Sequence, residues 1–436
     1  MKQFTCSNSK MPIWVDFVPS CWDMTKVKFI AKVVPGATPK STIASFWNGD
    51  IPFVTPADYV TEDHYVGHWA RTITEEGMNS CSASLLPSNS VIVSNRAPIG
   101  LVAINKVPVC TNQGCKGLVI KSQEYSPEYL YRLLSVADDA LNALGNGTTY
   151  QELSGKSLSD FVIPKPPLDV QRSIVAFLDS RCKPLNEAIA RHRIIIDKLE
   201  DYRKAVITKT VTKGLNDNIP MKDVGIGRVK NMPANWSVTK VKFIAKVIPG
   251  ATPKSTISAF WNGDIPFVTP ADYITEDHYI EHWARTITEE GMNSCSTSVL
   301  PPNSVIVSNR APIGLVAINK VPVCTNQGCK GLVVKSREYS PEYLYRLLSV
   351  ADDALNALGN GTTYQELSGK ALSDFVIQKP PLDVQRSIVA FLDSQCESIN
   401  KAIASHRVII DKLEEYRRGL IFHAVTGRID CTGGAR

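Results

Sequence analysis

The run Pro166-Pro167-Leu168-Asp169-Val170-Gln171-Arg172-Ser173-Ile174-Val175-Ala176-Phe177-Leu178 leads into a long helical pattern, and it recurs from Pro380-Pro381-Leu382 to Phe391-Leu392. Steps of three and four residues from Leu178 reach Cys182, Leu185, Ile189, His192, Ile196, Leu199, Arg203 and Val206. From Leu392 they reach Cys396, Ile399, Ile403, His406, Ile410, Leu413, Arg417 and Leu420. Apolar residues at this spacing, with polar interruptions at matching points, mark a coiled-coil seam. Asp197, Lys198, Glu200, Asp201 and Lys204 between them suit a solvated face. One such helix is equally well explained by packing on its own domain; two with the same seam favour packing on each other. The expected contacts are Leu178, Leu185, Ile189, Ile196 and Leu199 against Leu392, Ile399, Ile403, Ile410 and Leu413. Pro184 lacks an N–H, so a short helix from about Val170 to Ser180 is expected before the long one. At about 1.5 Å per residue, a helix of about 28 to 40 residues spans roughly 40 to 60 Å. It reads as a spacer.

The rest of the chain repeats around these helices. Trp22 recurs as Trp236, an offset of 214 residues that holds without a gap into the last helix. Solenoid repeats are far shorter, so this period means two whole domains. The expected division is 1–21 as an N-terminal segment, 22–167 and 236–381 as the two domains, and 168–212 and 382–427 as the spacers. Residues 213–235 read as a Gly-, Asn- and Pro-rich linker, and 428–436 as a tail. Within each domain, Ile51 to Val54, Ser90 to Ser94, Leu101 to Ile104 and Gly117 to Ile120 read as strands, as does a stretch around Asp160 to Ile163. A helix starts at Pro127 with Ser126 as its N-cap. The fold class is α+β: two repeated mixed α/β domains separated by two long antiparallel helices forming a coiled coil.

With 44% apolar and 21% charged residues in 436, the composition is that of globular protein. Apolar runs are too short for a membrane span, and Met1 to Asn8 lacks the apolar core of a signal peptide. Eleven cysteines without a C-x-x-C pair suit a reducing cytoplasm. The formal charge of +6 is compatible with a polyanion partner.

Enzymatic motifs fail one by one. Ser154-Gly155-Lys156-Ser157 resembles the end of a phosphate-binding loop, but Tyr150 stands where that loop needs Gly and the second copy ends in Ala371. His64 and His68 lack the Glu that a zinc protease places after its first His. Cys110 and Cys115 lack a second ligand pair and read as buried small side chains. No dinucleotide fingerprint follows a strand, and Pro166-Pro167 is followed by Leu168, not by the aromatic residue of an amino-methyltransferase tetrapeptide. The chain reads as a non-enzyme.

The motifs Pro35-Gly36-Ala37-Thr38-Pro39-Lys40, Gly49-Asp50-Ile51-Pro52-Phe53-Val54, Ser94-Asn95-Arg96-Ala97-Pro98-Ile99-Gly100 and Thr111-Asn112-Gln113-Gly114 follow one another in both units. Gly147-Thr148-Thr149-Tyr150-Gln151-Glu152-Leu153-Ser154-Gly155-Lys156 and the Pro-Pro-Leu run come next, and the second spacer closes on Tyr416-Arg417-Arg418-Gly419. In this order they resemble the specificity subunit of type I restriction-modification systems, over nearly the whole chain. Val170 and Val384 depart from it, where the family has an acidic residue before the Gln.

The resemblance implies two target-recognition domains, each reading half of a split site on double-stranded DNA. It implies helices that dock two adenine-N6 methyltransferase subunits and, through them, motor-nuclease subunits. S-adenosylmethionine, ATP and Mg are then expected on the partners, with no cofactor or metal on this chain and no membrane association. Two near-identical readers on antiparallel helices should recognise inverted half-sites, an interrupted palindrome. The competing class is a freestanding DNA-binding regulator or dimerisation scaffold. Base and phosphate contacts need Arg, Lys, Asn, Gln, Ser or Thr on loops. Candidates are Lys40, Ser41, Asn95, Arg96, Asn112, Gln113, Lys116, Thr148, Thr149 and Tyr150. Their counterparts are Lys254, Ser255, Asn309, Arg310, Asn326, Gln327, Lys330, Thr362, Thr363 and Tyr364. Turn formation and domain packing are the alternative roles, above all for Asn95-Arg96 and Asn112-Gln113.

Overall fold

A computed structural model describes residues 14–59, 64–145, 151–226, 229–273, 278–359, 365–431 and 433. The chain forms two compact units. Met1–Arg193 joins Val408–Arg436 in the first, and Ile194–Arg407 makes the second.

Among the described residues, ten strands build the domain of the first unit: β1 (Asp23–Lys26), β2 (Ala31–Pro35), β3 (Trp47–Val54), β4 (Tyr65–Val66), β5 (Arg71–Ile73), β6 (Val91–Ser94), β7 (Val102–Asn105), β8 (Cys110–Thr111), β9 (Cys115–Ile120) and β10 (Val162–Lys165). A five-stranded sheet runs β2-β9-β6-β7-β4, a three-stranded sheet β5-β3-β8, and β1 pairs with β10. The same topology recurs in the second unit, from Ser237–Lys240 to Val376–Lys379. The central strands of the larger sheet are covered on both faces: all of Val91–Ser94 is buried, which explains its continuous apolar run. One face packs on the Pro127–Leu134 helix, where Ser126 accepts from the Tyr129 N–H and Tyr129, Leu130, Leu133 and Leu134 enter the core.

The first long helix is one uninterrupted segment, Leu168–Lys213, with Pro184 inside it. The expected break at Pro184 does not occur. Pro184 and Ser180 are both exposed, so the carbonyl that loses its N–H partner faces solvent. Buried Leu178 and Cys182 before the proline and buried Ile189 after it hold the axis in place. Packing outweighs the local cost. The second long helix is Leu382–Val425.

Within each unit the helix segments pair antiparallel. In the first, Arg417 donates to Asn186 at 2.6 Å and Arg193 pairs with Glu414 at 2.9 Å. In the second, Arg203 donates to Asn400 at 2.7 Å and Arg407 lies 3.7 Å from Glu200. The polar interruptions therefore hold the register. Of the expected seam residues, Leu178, Ile189, Leu392, Ile399 and Ile403 are buried, while Leu185, Ile196, Leu199, Ile410 and Leu413 are half-buried. Leu178 and Leu392 pack into their own domain's core, so both packing modes are used along one helix.

Two short elements differ from expectation. Gly155–Asp160 is a helix capped by Ser154, and the strand after it runs Val162–Lys165 rather than from Asp160. The Ser154-Gly155-Lys156-Ser157 motif is thus a helix start, with Ser154 accepting from the Ser157 N–H at 3.0 Å. The stretch read as a linker contains an antiparallel pair of strands, Met221–Ile226 with Val229–Pro233, and buries Val229 and Met232 in the second unit's core. In the first unit, Trp14 stacks on Phe161 at 5.3 Å and donates to the Val162 carbonyl.

Candidate nucleic-acid interface

Four motifs that are far apart in sequence converge at one end of each domain. The Gly36 N–H donates to the Cys115 carbonyl and the Ala37 N–H to the Thr111 carbonyl, laying the Pro35 to Lys40 loop against Thr111 to Gly114. The Thr38 hydroxyl donates to the Gln113 side-chain carbonyl, and Thr252 does the same to Gln327. The Asn95 N–H donates to the Gly114 carbonyl at 2.9 Å, bringing in the Ser94 to Gly100 loop. The Leu153 N–H donates to the Asn95 carbonyl at 2.8 Å and fastens the segment before the capped helix.

Candidates fall into two groups here. Asn95 and Asn309 are fully buried, and their side-chain amides donate to Glu152 and Glu366 at 2.9 Å. Asn112 and Asn326 form turns, each side-chain carbonyl accepting from the Gly114 or Gly328 N–H at 3.0 Å. Lys116 and Lys330 are nearly buried, and desolvation holds their ammonium pKa below the ordinary lysine value despite the nearby Glu152 or Glu366. These six residues shape the loops. Exposed on them are Lys40, Ser41, Arg96 and Gln113, with Lys254, Ser255, Arg310 and Gln327 in the second unit. Thr148, Thr149, Tyr150, Thr362, Thr363 and Tyr364 lie outside the described residues.

Glu152 and Glu366 organise this end of the domain and were absent from the candidates. Glu152 accepts from both Asn95 and Arg96, the Arg96 Nε standing 3.2 Å away. Its only sequence signal was membership of the Tyr150 to Gly155 motif. A carboxylate is not an expected phosphate contact, so the residue is invisible to that criterion. Arg71 over the Trp47 ring at 3.6 Å was missed too, because a cation–π pair depends on strand register.

Four cysteines of the two domains are buried as thiols. Burial raises the thiol pKa to about 11 at Cys110 and Cys324 and to about 12 at Cys115 and Cys329. Native iodoacetamide labelling at pH 8, read by peptide mass spectrometry, is expected to modify exposed Cys21 and to spare these four. Labelling of Cys115 at the rate of Cys21 would refute that burial.

The model for the type I restriction modification DNA specificity domain matches residues 19–196 and again 233–414. The chain belongs to this family. It is 33% identical over 260 residues to the MjaIX specificity subunit of Methanocaldococcus jannaschii, a match covering 58% of each chain. The MjaVIII specificity subunit of the same organism is 21% identical over 427 residues, 94% of both chains. The Escherichia coli EcoR124I/EcoR124II specificity subunit is 32% identical over 194 residues, covering 41% of this chain and 46% of that one. A solved chain from work on complex assembly and conformational transition of the type I R-M system superposes with a TM-score of 0.67 at 18% identity, over 94% of this chain and 99% of that one. That likeness establishes the shared fold. Among the described residues of this family member, no helix is long and apolar enough to cross a membrane.

Proposed function

We propose that this chain is the non-catalytic DNA-recognition subunit of a type I restriction-modification complex. Each domain reads one half of a bipartite site with the loop end carrying Lys40, Ser41, Arg96 and Gln113 or their counterparts. The long helices carry two adenine-N6 methyltransferase subunits and, through them, the motor-nuclease subunits. The observation that carries this reading is the duplication of the loop end together with a paired long helix in each unit. The first helix, of 46 residues, is about 69 Å long at 1.5 Å per residue, roughly two turns of B-DNA. Near-identical readers carried on antiparallel helices call for inverted half-sites, so the proposed target is an interrupted palindrome.

The test is a modified-base map of DNA from cells expressing the chain with the methyltransferase of its system. N6-methyladenine in an inverted repeat with a fixed gap is expected. A direct or asymmetric repeat would refute the palindrome, and absent methylation by a partner active with another specificity subunit would refute the function. A second expectation concerns Lys40→Ala combined with Lys254→Ala. In the assembled methyltransferase, these changes should weaken DNA binding uniformly across sequences and lower the salt slope of log Kd by about 2. An unchanged slope would remove both lysines from the phosphate contacts.

A further inference from the structure

Seven differences between the two copies change a formal charge before residue 204; four of them, Arg181, Lys183, Glu187 and Arg191, lie on the first long helix, and a fifth is Gly67. In the second unit an open groove runs between the helix pair and the domain, lined among others by His278, Tyr345, Glu397 and Lys401. The His278 ring lies tilted against Tyr279 with centroids 4.1 Å apart, Lys320 sits over the Tyr279 ring, and Glu281 clamps Lys320 at 2.5 Å. Glu397 pairs with Lys401 one helical turn on, at 2.6 Å. In this unit the charges at these five positions, Glu281, Glu397 and Lys401, are all paired.

The same ring contacts recur in the first unit, His64 on Tyr65 at 4.1 Å with Lys106 over Tyr65 at 4.4 Å. Gly67 replaces Glu281, and a Cβ there would meet nothing within 4 Å. The helix positions read Arg181, Lys183, Glu187 and Arg191, all exposed, where the second unit has Gln395, Glu397, Lys401 and Ser405. Only Arg191 reaches Glu187, at 3.5 Å. Among the described residues Lys106, Arg181 and Lys183 have no carboxylate partner. With Lys106 and Lys320 included, four cations and one anion give the first unit +3, while two of each give the second zero.

Resting on the reading that the helices carry methyltransferase subunits, we propose that the helix surfaces bearing these charges bind the same subunit with unequal, salt-sensitive affinity in the two units, so that the complex assembles in two resolvable steps. Exposed Tyr202 on one helix and Tyr416 on the other give the units matching aromatic anchors, as protein interfaces favour, so the difference lies in charge.

The test titrates the full-length chain with the separately purified methyltransferase subunit of its system, followed by analytical ultracentrifugation. At about 0.1 M salt the two steps should differ about ten-fold in Kd beyond the statistical factor, and at about 1 M, where the Debye length is roughly 3 Å, by less than about three-fold. A variant carrying G67E, R181Q, K183E, E187K and R191S gives the first unit charges that the second already folds with, and its two steps should merge. Two equal steps at low salt, or unequal steps that survive this exchange, would overturn the proposal and leave methyltransferase docking standing. No binding at any ratio would overturn the docking reading itself.

Discussion

Gly36→Ala is expected to destabilise the first unit by about 3 kcal/mol and to abolish ordered docking of its Pro35 to Lys40 loop. A Cβ at Gly36 would stand 2.0 Å from the Asn112 backbone carbonyl and 2.5 Å from the Thr111 hydroxyl. Both neighbours belong to the turn that Asn112 fixes through the Gly114 N–H, so neither yields as a flexible side-chain tip would. Relief requires breaking the Gly36 to Cys115 and Ala37 to Thr111 backbone bonds that align the loop. Gly250→Ala meets the Asn326 carbonyl at the same 2.0 Å and should act equally on the second unit. Gly155→Ala is the control: nothing lies within 4 Å of its Cβ, and it begins a helix, so stability should stay within about 0.5 kcal/mol of wild type. Differential scanning calorimetry of the three variants measures this. A Gly36→Ala protein melting with the control would show that the loops do not press together.

Gln171→Leu is expected to cost about 3 kcal/mol despite its similar volume. Gln171 is fully buried where the first long helix leaves its domain. Its side-chain carbonyl accepts from the Ser126 N–H at 2.8 Å, and its amide donates to the carbonyls of Glu124 at 2.9 Å and Pro166 at 2.8 Å. Leucine would leave three backbone groups without partners in an apolar setting, each costing roughly 1 kcal/mol or more. Gln385 repeats the arrangement with Ser340, Glu338 and Pro380. The readouts are the urea midpoint and hydrogen exchange at the amide of Ser126, the residue whose hydroxyl caps the Pro127–Leu134 helix. Unchanged Ser126 protection would mean that the joint is held by apolar packing alone.

The repeat, the long helices and the buried strands were legible because each rests on local pattern: a fixed offset, a seam at three- and four-residue steps, runs of Val and Ile. Pro184 was misjudged because its rule is local while the packing of Leu178, Cys182 and Ile189 is tertiary. The helix at Gly155 is six residues long, too short for periodicity, and its one signal, Ser154 three before Ser157, was weighed against phosphate binding instead of capping. In the candidate interface, sequence named loops that meet at one end of each domain, but not the division of labour among their residues. An asparagine that shapes a turn and one that meets a ligand look alike until burial is known, as Asn112 and Asn95 show beside exposed Gln113 and Arg96.

The antiparallel pairing also reverses an order in time. The second unit is a contiguous segment, and its core takes Ile207 and Val211 from a helix already made when Tyr343 emerges and donates to the Val211 carbonyl. The first unit is discontinuous: Tyr129 donates to the Val425 carbonyl, and Ile421, Ala424 and Val425 complete its core. On the ribosome the first domain must therefore wait, with part of its apolar surface uncovered, for residues made only after the whole second unit. Of the two domains, the one begun first is completed second.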